Sequence, residues 1–269
     1  MWSTLAFATA LALTPSQSSA LRLENARITY GFLGAERPNA KLLPGDAFFV
    51  SFDIDGLKVA EDGKVLYSMG MQLSNKEGKV QFKKEPKDLE AYNSLGGARL
   101  PAFAVTEIGM DTAPGEYTLT VTVTDRAAKT SDTLVRRFEV LPLDFGMVRM
   151  NMTYDFKGEV SAPPLGVPGQ TFWVNFALVG FELDPKTKQP NLSVELRVLD
   201  ENGRPTLAKP LTGEATKVDE QYKKFVPMQF VLNLNRAGRY TMELTGRDNV
   251  SKKPAARQTM PFVIMEPGK

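Results

Sequence analysis

Four carboxylates, Asp53, Asp55, Glu61 and Asp62, fall in one short stretch, and calcium favours such clusters of oxygen ligands. Strand alternation puts Asp53 and Asp55 on one outward face. The EF-hand spacing is absent, so a solvated strand end is preferred to a calcium site. Carboxylate pairs also run glycoside hydrolysis, but nothing in the sequence singles out a pair in a cleft. Neighbours such as Ser251-Lys252 are common by chance. The chain has no cysteine and no histidine. That composition argues against zinc enzymes and removes Ser-His and Cys-His nucleophiles and iron–sulfur or c-type haem sites. The expectation is a protein that is not an enzyme and needs no cofactor.

Charge narrows the partners. With 33 basic and 31 acidic residues the formal net charge is +2, too balanced for nucleic acid. The densest basic run, Lys83, Lys84 and Lys87, is interleaved with Glu85 and Asp88 and reads as a solvated strand end or loop. Leu5 to Leu13 is apolar and uncharged, and Ser18-Ser19-Ala20 fits a small-x-small cleavage site, as in a secretory signal peptide over residues 1–20. The apolar run is too short to span a membrane, so no membrane insertion is expected. An exported chain without cysteine suits a bacterial envelope, and the expected location is periplasmic or extracellular. The sequons at Asn151, Asn191 and Asn249 are then chance.

The chain repeats itself. Pro44-Gly-Asp-Ala-Phe-Phe-Val-Ser-Phe52 matches Pro168-Gly-Gln-Thr-Phe-Trp-Val-Asn-Phe176, and Ile28-Thr-Tyr-Gly-Phe32 matches Met152-Thr-Tyr-Asp-Phe156. Pro114-Gly-Glu-Tyr-Thr-Leu119 matches Ala237-Gly-Arg-Tyr-Thr-Met242, and Phe138-Glu-Val140 matches Phe262-Val-Ile264, all at an offset of about 124. This is whole-domain duplication, dividing the mature chain into residues 21–142 and 143–269. Asp53 and Asp55 correspond to Ala177 and Val179, so the second copy has no equivalent acidic pair.

Period-two alternation dominates each copy. Phe172, Val174, Phe176 and Leu178 share one face, and Trp173 and Asn175 the other. Tyr117, Leu119, Val121 and Val123 alternate with threonines, which favours strand. Asn75-Lys-Glu-Gly78 and Asp200-Glu-Asn-Gly203 read as turns with glycine available for positive φ. About seven strands are expected per copy, near 24–32, 46–54, 66–74, 79–84, 101–107, 116–125 and 133–141, with a short helix allowed in Asp88–Leu95. This spacing predicts an all-β fold of two tandem Greek-key sandwiches. Gly115-Glu-Tyr117-Thr-Leu119 and Gly238-Arg-Tyr240-Thr-Met242 resemble the start of an immunoglobulin F strand, where a tyrosine closes a corner. Leu119 and Met242 stand where that family has its second cysteine. Both copies therefore resemble bacterial immunoglobulin-like or fibronectin-type modules.

Contact residues are sought where alternation leaves apolar groups outside the core. Trp173 and its counterpart Phe49 face away from it, and outward aromatics bind sugar rings, meet partner proteins or pack under a neighbouring element. Tyr30 and Tyr154 recur in both copies and read as packing near the first strand. The segment Lys83 to Leu100 has no counterpart in the second copy. Read as a loop, it offers Leu89, Tyr92 and Leu95 to a partner. The leading expectation is a non-catalytic monomer that binds an envelope or extracellular protein or acts as a spacer. A polysaccharide-binding protein using Trp173 is the first alternative, and an enzyme the second.

Overall fold

The computed structural model describes residues 20–266 and 268. The expected signal peptide thus lies almost wholly outside the described residues. The first half forms β1 (Arg22–Thr29), β2 (Lys41–Leu42), β3 (Ala47–Asp55), β4 (Lys64–Asn75), β5 (Val80–Tyr92), β6 (Leu100–Glu107), β7 (Gly115–Asp125) and β8 (Thr130–Val140). The second forms β9 (Gly146–Thr153), β10 (Leu165–Gly166), β11 (Thr171–Val179), β12 (Leu192–Leu199), β13 (Leu211–Ala215), β14 (Phe225–Asn233), β15 (Gly238–Asp248) and β16 (Ala256–Ile264). The only helical element among the described residues is a 3-10 turn at Glu220–Tyr222. No helix there is long and apolar enough to cross a membrane.

The halves share one topology. A three-stranded sheet β1-β3-β6 faces a five-stranded sheet β2-β8-β7-β4-β5, and β9-β11-β14 faces β10-β16-β15-β12-β13 in the same order. Phe48, Val50, Phe52 and Ile54 of β3 point into the first core, and Phe172, Val174, Phe176 and Leu178 of β11 into the second. The turns at Asn75–Gly78 and Asp200–Gly203 close with glycine at positive φ.

Two expectations need correction. Each copy has eight strands. The extra one, β2 or β10, is two residues long and runs parallel to the last strand of its sandwich, too short to leave a periodic signal. The segment from Lys83 is no loop, and Asp88–Leu95 holds no helix. β5 continues to Tyr92, paired with β4 from Ser74↔Val80 to Lys64↔Tyr92, and only residues 93–99 connect it to β6. Its charged, exposed composition is that of an edge strand, which lacks the buried alternation of a central one.

The sandwiches meet end to end through the short segment 141–145. Val148, Ala177 and Val179 lie on the outward face of the second small sheet but are fully buried, packed against Leu43, Met110 and Phe225. Beside them Asp46 is sealed from water. Arg37 Nη1 donates to its Oδ2 at 2.9 Å, and the amides of Ala47 and Arg149 donate to Oδ1 at 2.9 and 2.8 Å. The Asp46 and Arg37 side chains are 4% and 9% exposed. Arg149 sits in a β-bulge with φ 53°, and Asn25 occupies the same bulge in the first copy with φ 52°. Bulges re-aim side chains. This one turns Arg149 across the junction, where Nε donates to the Gly45 carbonyl and Nη2 to Glu107. Gly180 is needed at φ 68° because a Cβ would collide with the Asp144 carbonyl. Tyr30 belongs to the first copy yet packs in the second core cluster, with its hydroxyl donating to Gln258.

Removing one partner of a buried ion pair strands the other and costs about 3–5 kcal/mol. Asp46→Ala should therefore lower the urea midpoint and split unfolding into two transitions, one per sandwich. An unchanged single transition would show that Asp46 does not couple them.

Candidate functional site

The structure scatters the residues singled out by sequence. Phe49 and Trp173 lie half-buried on the outer faces of their three-stranded sheets. Trp173 meets Phe156 edge-on at 5.6 Å, and Phe49 stacks near Phe103, which also packs on Phe32. Leu89 and Tyr92 lie on β5, at the edge of the first five-stranded sheet, and Leu95 is fully exposed in the following loop. Tyr92 carries Lys64 over its ring at 5.8 Å. These residues form no single site. Tyr30 is buried, but at the junction and not in its own core; Tyr154 is exposed, with its ring 5.8 Å from that of the fully buried Phe172 of the second core.

The acidic groups are held by the protein itself. Asp53 accepts from Asn25 at 2.8 Å, and Arg99 lies 3.8 and 3.7 Å from Asp53 and Asp55. Asp125 and Asp248 are equivalent buried carboxylates at the turn before each last strand. Asp125 takes the amides of Lys58, Ala127 and Ala128. Asp248 takes those of Glu182 and Val250 and the Ser251 hydroxyl. Both staple that turn to the loop after the second long strand. No group of three or more metal-ligating side chains occurs among the described residues.

At the other end of each last hairpin, the Tyr117 hydroxyl donates to the Ala113 carbonyl at 2.8 Å, and Tyr240 to the Arg236 carbonyl at 3.1 Å. These are tyrosine corners. Both sandwiches are immunoglobulin-like.

Beside each corner the sandwich stays open along one side, between the small-sheet edge strand (β6 or β14) and the facing sheet. The first opening, about 630 Å³, is lined by Met71, Leu73, Phe82, Val105 and Tyr117, with Glu107 and Asp111 at its rim. The second, about 500 Å³, has Leu196, Val198, Leu232, Phe262 and Ile264 as its apolar lining. Arg197, Lys209 and Arg236 stand there, and no acidic side chain lines it. Strand register makes the two equivalent: Met71 pairs Val121 and Leu73 pairs Leu119, as Leu196 pairs Leu244 and Val198 pairs Met242. The distal end of the second sandwich, next to its groove, is apolar. Tyr154, Phe156, Val160, Leu165 and Leu207 are exposed there, Phe156 at 64%.

The short linker Leu141 to Asp144 led sequence reasoning to expect that the domains abut, but it missed both grooves and the residues that form the junction. The junction had a signal: Ala177 and Val179 are apolar on a face that carries Asp53 and Asp55 in the first copy, so that face is covered only in the second. The grooves had none, because edge strands brought together across a sandwich leave no spacing to read.

No family model matches the chain, and no curated protein sequence matches it. Among solved structures it is similar to the C-terminal domain of the Streptococcus agalactiae antigen I/II polypeptide BspA, at 8% identity and TM-score 0.30, over 88% of this chain and 99% of that one. It is similar to the C-terminal domain of the Streptococcus pyogenes antigen I/II-family protein AspA at 10% identity and TM-score 0.30, over 91% and 99%. It also resembles red sea bream transglutaminase at 8% identity and TM-score 0.30, where it covers 92% of itself but only 31% of that chain.

Burial pushes the Asp248 carboxyl up, but the Ser251 hydroxyl and the amides of Glu182, Val250 and Ser251 outweigh it and hold the group below its usual range. A carboxyl depressed in the folded state contributes stability above its unfolded pKa of about 3.9 and loses it as pH falls through the folded value. Thermal scans from pH 6 to pH 2 should show Asp248→Asn losing less stability on acidification than the parent chain. Parallel curves would remove Asp248 from the acid response.

Proposed function

We propose that this chain is a non-catalytic, exported binding module of the bacterial envelope that acts as a monomer and recognises a protein partner. The observation that carries this reading is the duplicated groove: an apolar channel beside an unpaired strand edge, present in both sandwiches. Such edges and grooves accept extended segments of partner proteins. The long outer edge of β5 is a poorer contact. Lys83, Lys84, Lys87 and Pro86 lie along it, and its pairing with β4 shifts register twice, all devices that discourage strand addition. A polysaccharide reading is supported by one observation, the half-exposed Trp173 beside the exposed Phe156. Their rings meet at 76°, which offers a corner instead of a flat platform.

Immobilised protein from Leu21 onward, exposed to envelope extract and to a polysaccharide panel, tests both. Capture of a defined protein that is lost with Leu207→Asp or Phe82→Asp, and kept with Trp173→Ala, supports the protein-binding reading. Glycan capture lost with Trp173→Ala replaces it.

A further inference from the structure

The two grooves are equivalent by duplication yet opposite in charge and unequal in cover. In the first sandwich β5 runs the full length of β4, so Phe82 pairs with Leu73 at the groove. In the second, β13 stops at the Leu196↔Leu211 pair. From Arg197 onward the side of β12 away from β15 carries an isolated bridge between Leu199 and Pro205 and hydrogen bonds from the Thr206 amide and hydroxyl to the Val198 carbonyl. Across the groove β14 is paired on one side only, with β11, and Val231, Leu232 and Asn233 border the opening. Lys209 is exposed and makes no ion pair among the described residues, Arg197 stands across from Glu243 in the β12–β15 register, and the Arg236 guanidinium donates to Tyr240. Asp200 acts on Arg236 from outside the lining.

We infer that this second groove binds an extended peptide segment whose apolar side chains alternate with carboxylates, added as a strand to the free edge of β14. The inference rests on the binding-module reading and names the partner chemistry of one of its two grooves. Three features select that occupant. The strand edge supplies main-chain donors and acceptors, which give such complexes their affinity. The apolar floor accepts every second side chain of an added strand. The cations at its rim attract carboxylates and repel lysine-rich segments, and no acidic side chain lines the groove to reverse that preference. The volume lies within the range of about 300–1,000 Å³ common to ligand sites. The first groove disfavours the same segment, because the acidic Glu107 and Asp111 stand at its rim and no cation lines it, although its β6 edge is as free as that of β14.

Fluorescence anisotropy with the chain from Leu21 onward tests this with four probes. They are a labelled peptide alternating valine and glutamate, the same peptide with lysine for glutamate, the glutamate peptide N-methylated at alternate residues, and laurate as competitor. The glutamate peptide should bind, with affinity falling steeply as salt rises and dropping about tenfold or more in Arg197→Glu/Lys209→Glu. Both substitutions are at the groove rim, and circular dichroism checks that the fold is kept. The N-methylated and lysine peptides should fail to bind, and amide resonances of Val231–Asn233 should shift with the glutamate peptide alone. Equal binding of the glutamate and lysine peptides, indifference to N-methylation, or no binding of the glutamate peptide overturns the inference. Displacement by laurate with N-methylation tolerated reassigns the groove to an anionic amphiphile and also overturns it. If envelope capture persists and depends on Phe82 alone, the binding-module reading survives while this inference falls.

Discussion

Asp46 is a carboxylate without water, and the two sandwiches are oriented around it. Its oxygens receive one guanidinium and two amides, one of those amides from across the junction. A buried charge is tolerable only with such a complete set of partners. Arg149 must therefore bring its amide and its guanidinium to the same place, which the left-handed bulge in β9 accomplishes. The apolar contact of Val148, Ala177 and Val179 adds roughly 1.5–3 kcal/mol per buried valine, but an apolar contact is non-directional. The ion network sets the angle at which that contact is made.

Duplication produced two equal folds and then unequal surfaces. Core positions kept their apolar character almost strand for strand, which is why the β-sandwiches were legible from alternation and their repeat from matched motifs at one offset. The pressure on the outward positions differed between copies. Glu24, Asp53 and Asp55 remain partly exposed with Arg22 and Arg99 nearby, while their counterparts Val148, Ala177 and Val179 lie under the first sandwich. Reading the second strand of each copy side by side shows that change directly, although each strand alone shows ordinary alternation.

The candidate site was far less legible. Trp173 and Phe49 were placed correctly on outward faces, because alternation fixes direction. Leu89, Tyr92 and Leu95 were assigned to a loop that is mostly strand, since an exposed edge strand has no apolar face to betray its period. The grooves join residues from strands distant in sequence, and their charge arises from Arg197, Lys209 and Arg236 in three separate segments. Only the fold makes those residues neighbours.

The acidic end of the first sandwich has a consequence for polymerisation. A protein built from repeats whose ends fit one another risks open, fibre-like growth when molecules stack head to tail. Here the far end of the second sandwich presents Phe156 and Val160 to solvent, and the near end of the first presents Glu24, Asp53 and Asp55. Pressing these partly exposed carboxylates onto that greasy end would strip their remaining hydration and add no partner to the arginines they already have, which is unfavourable. The same three positions that are apolar inside the molecule are charged at its outer end, so the apolar contact that makes the joint within the chain has no equivalent there.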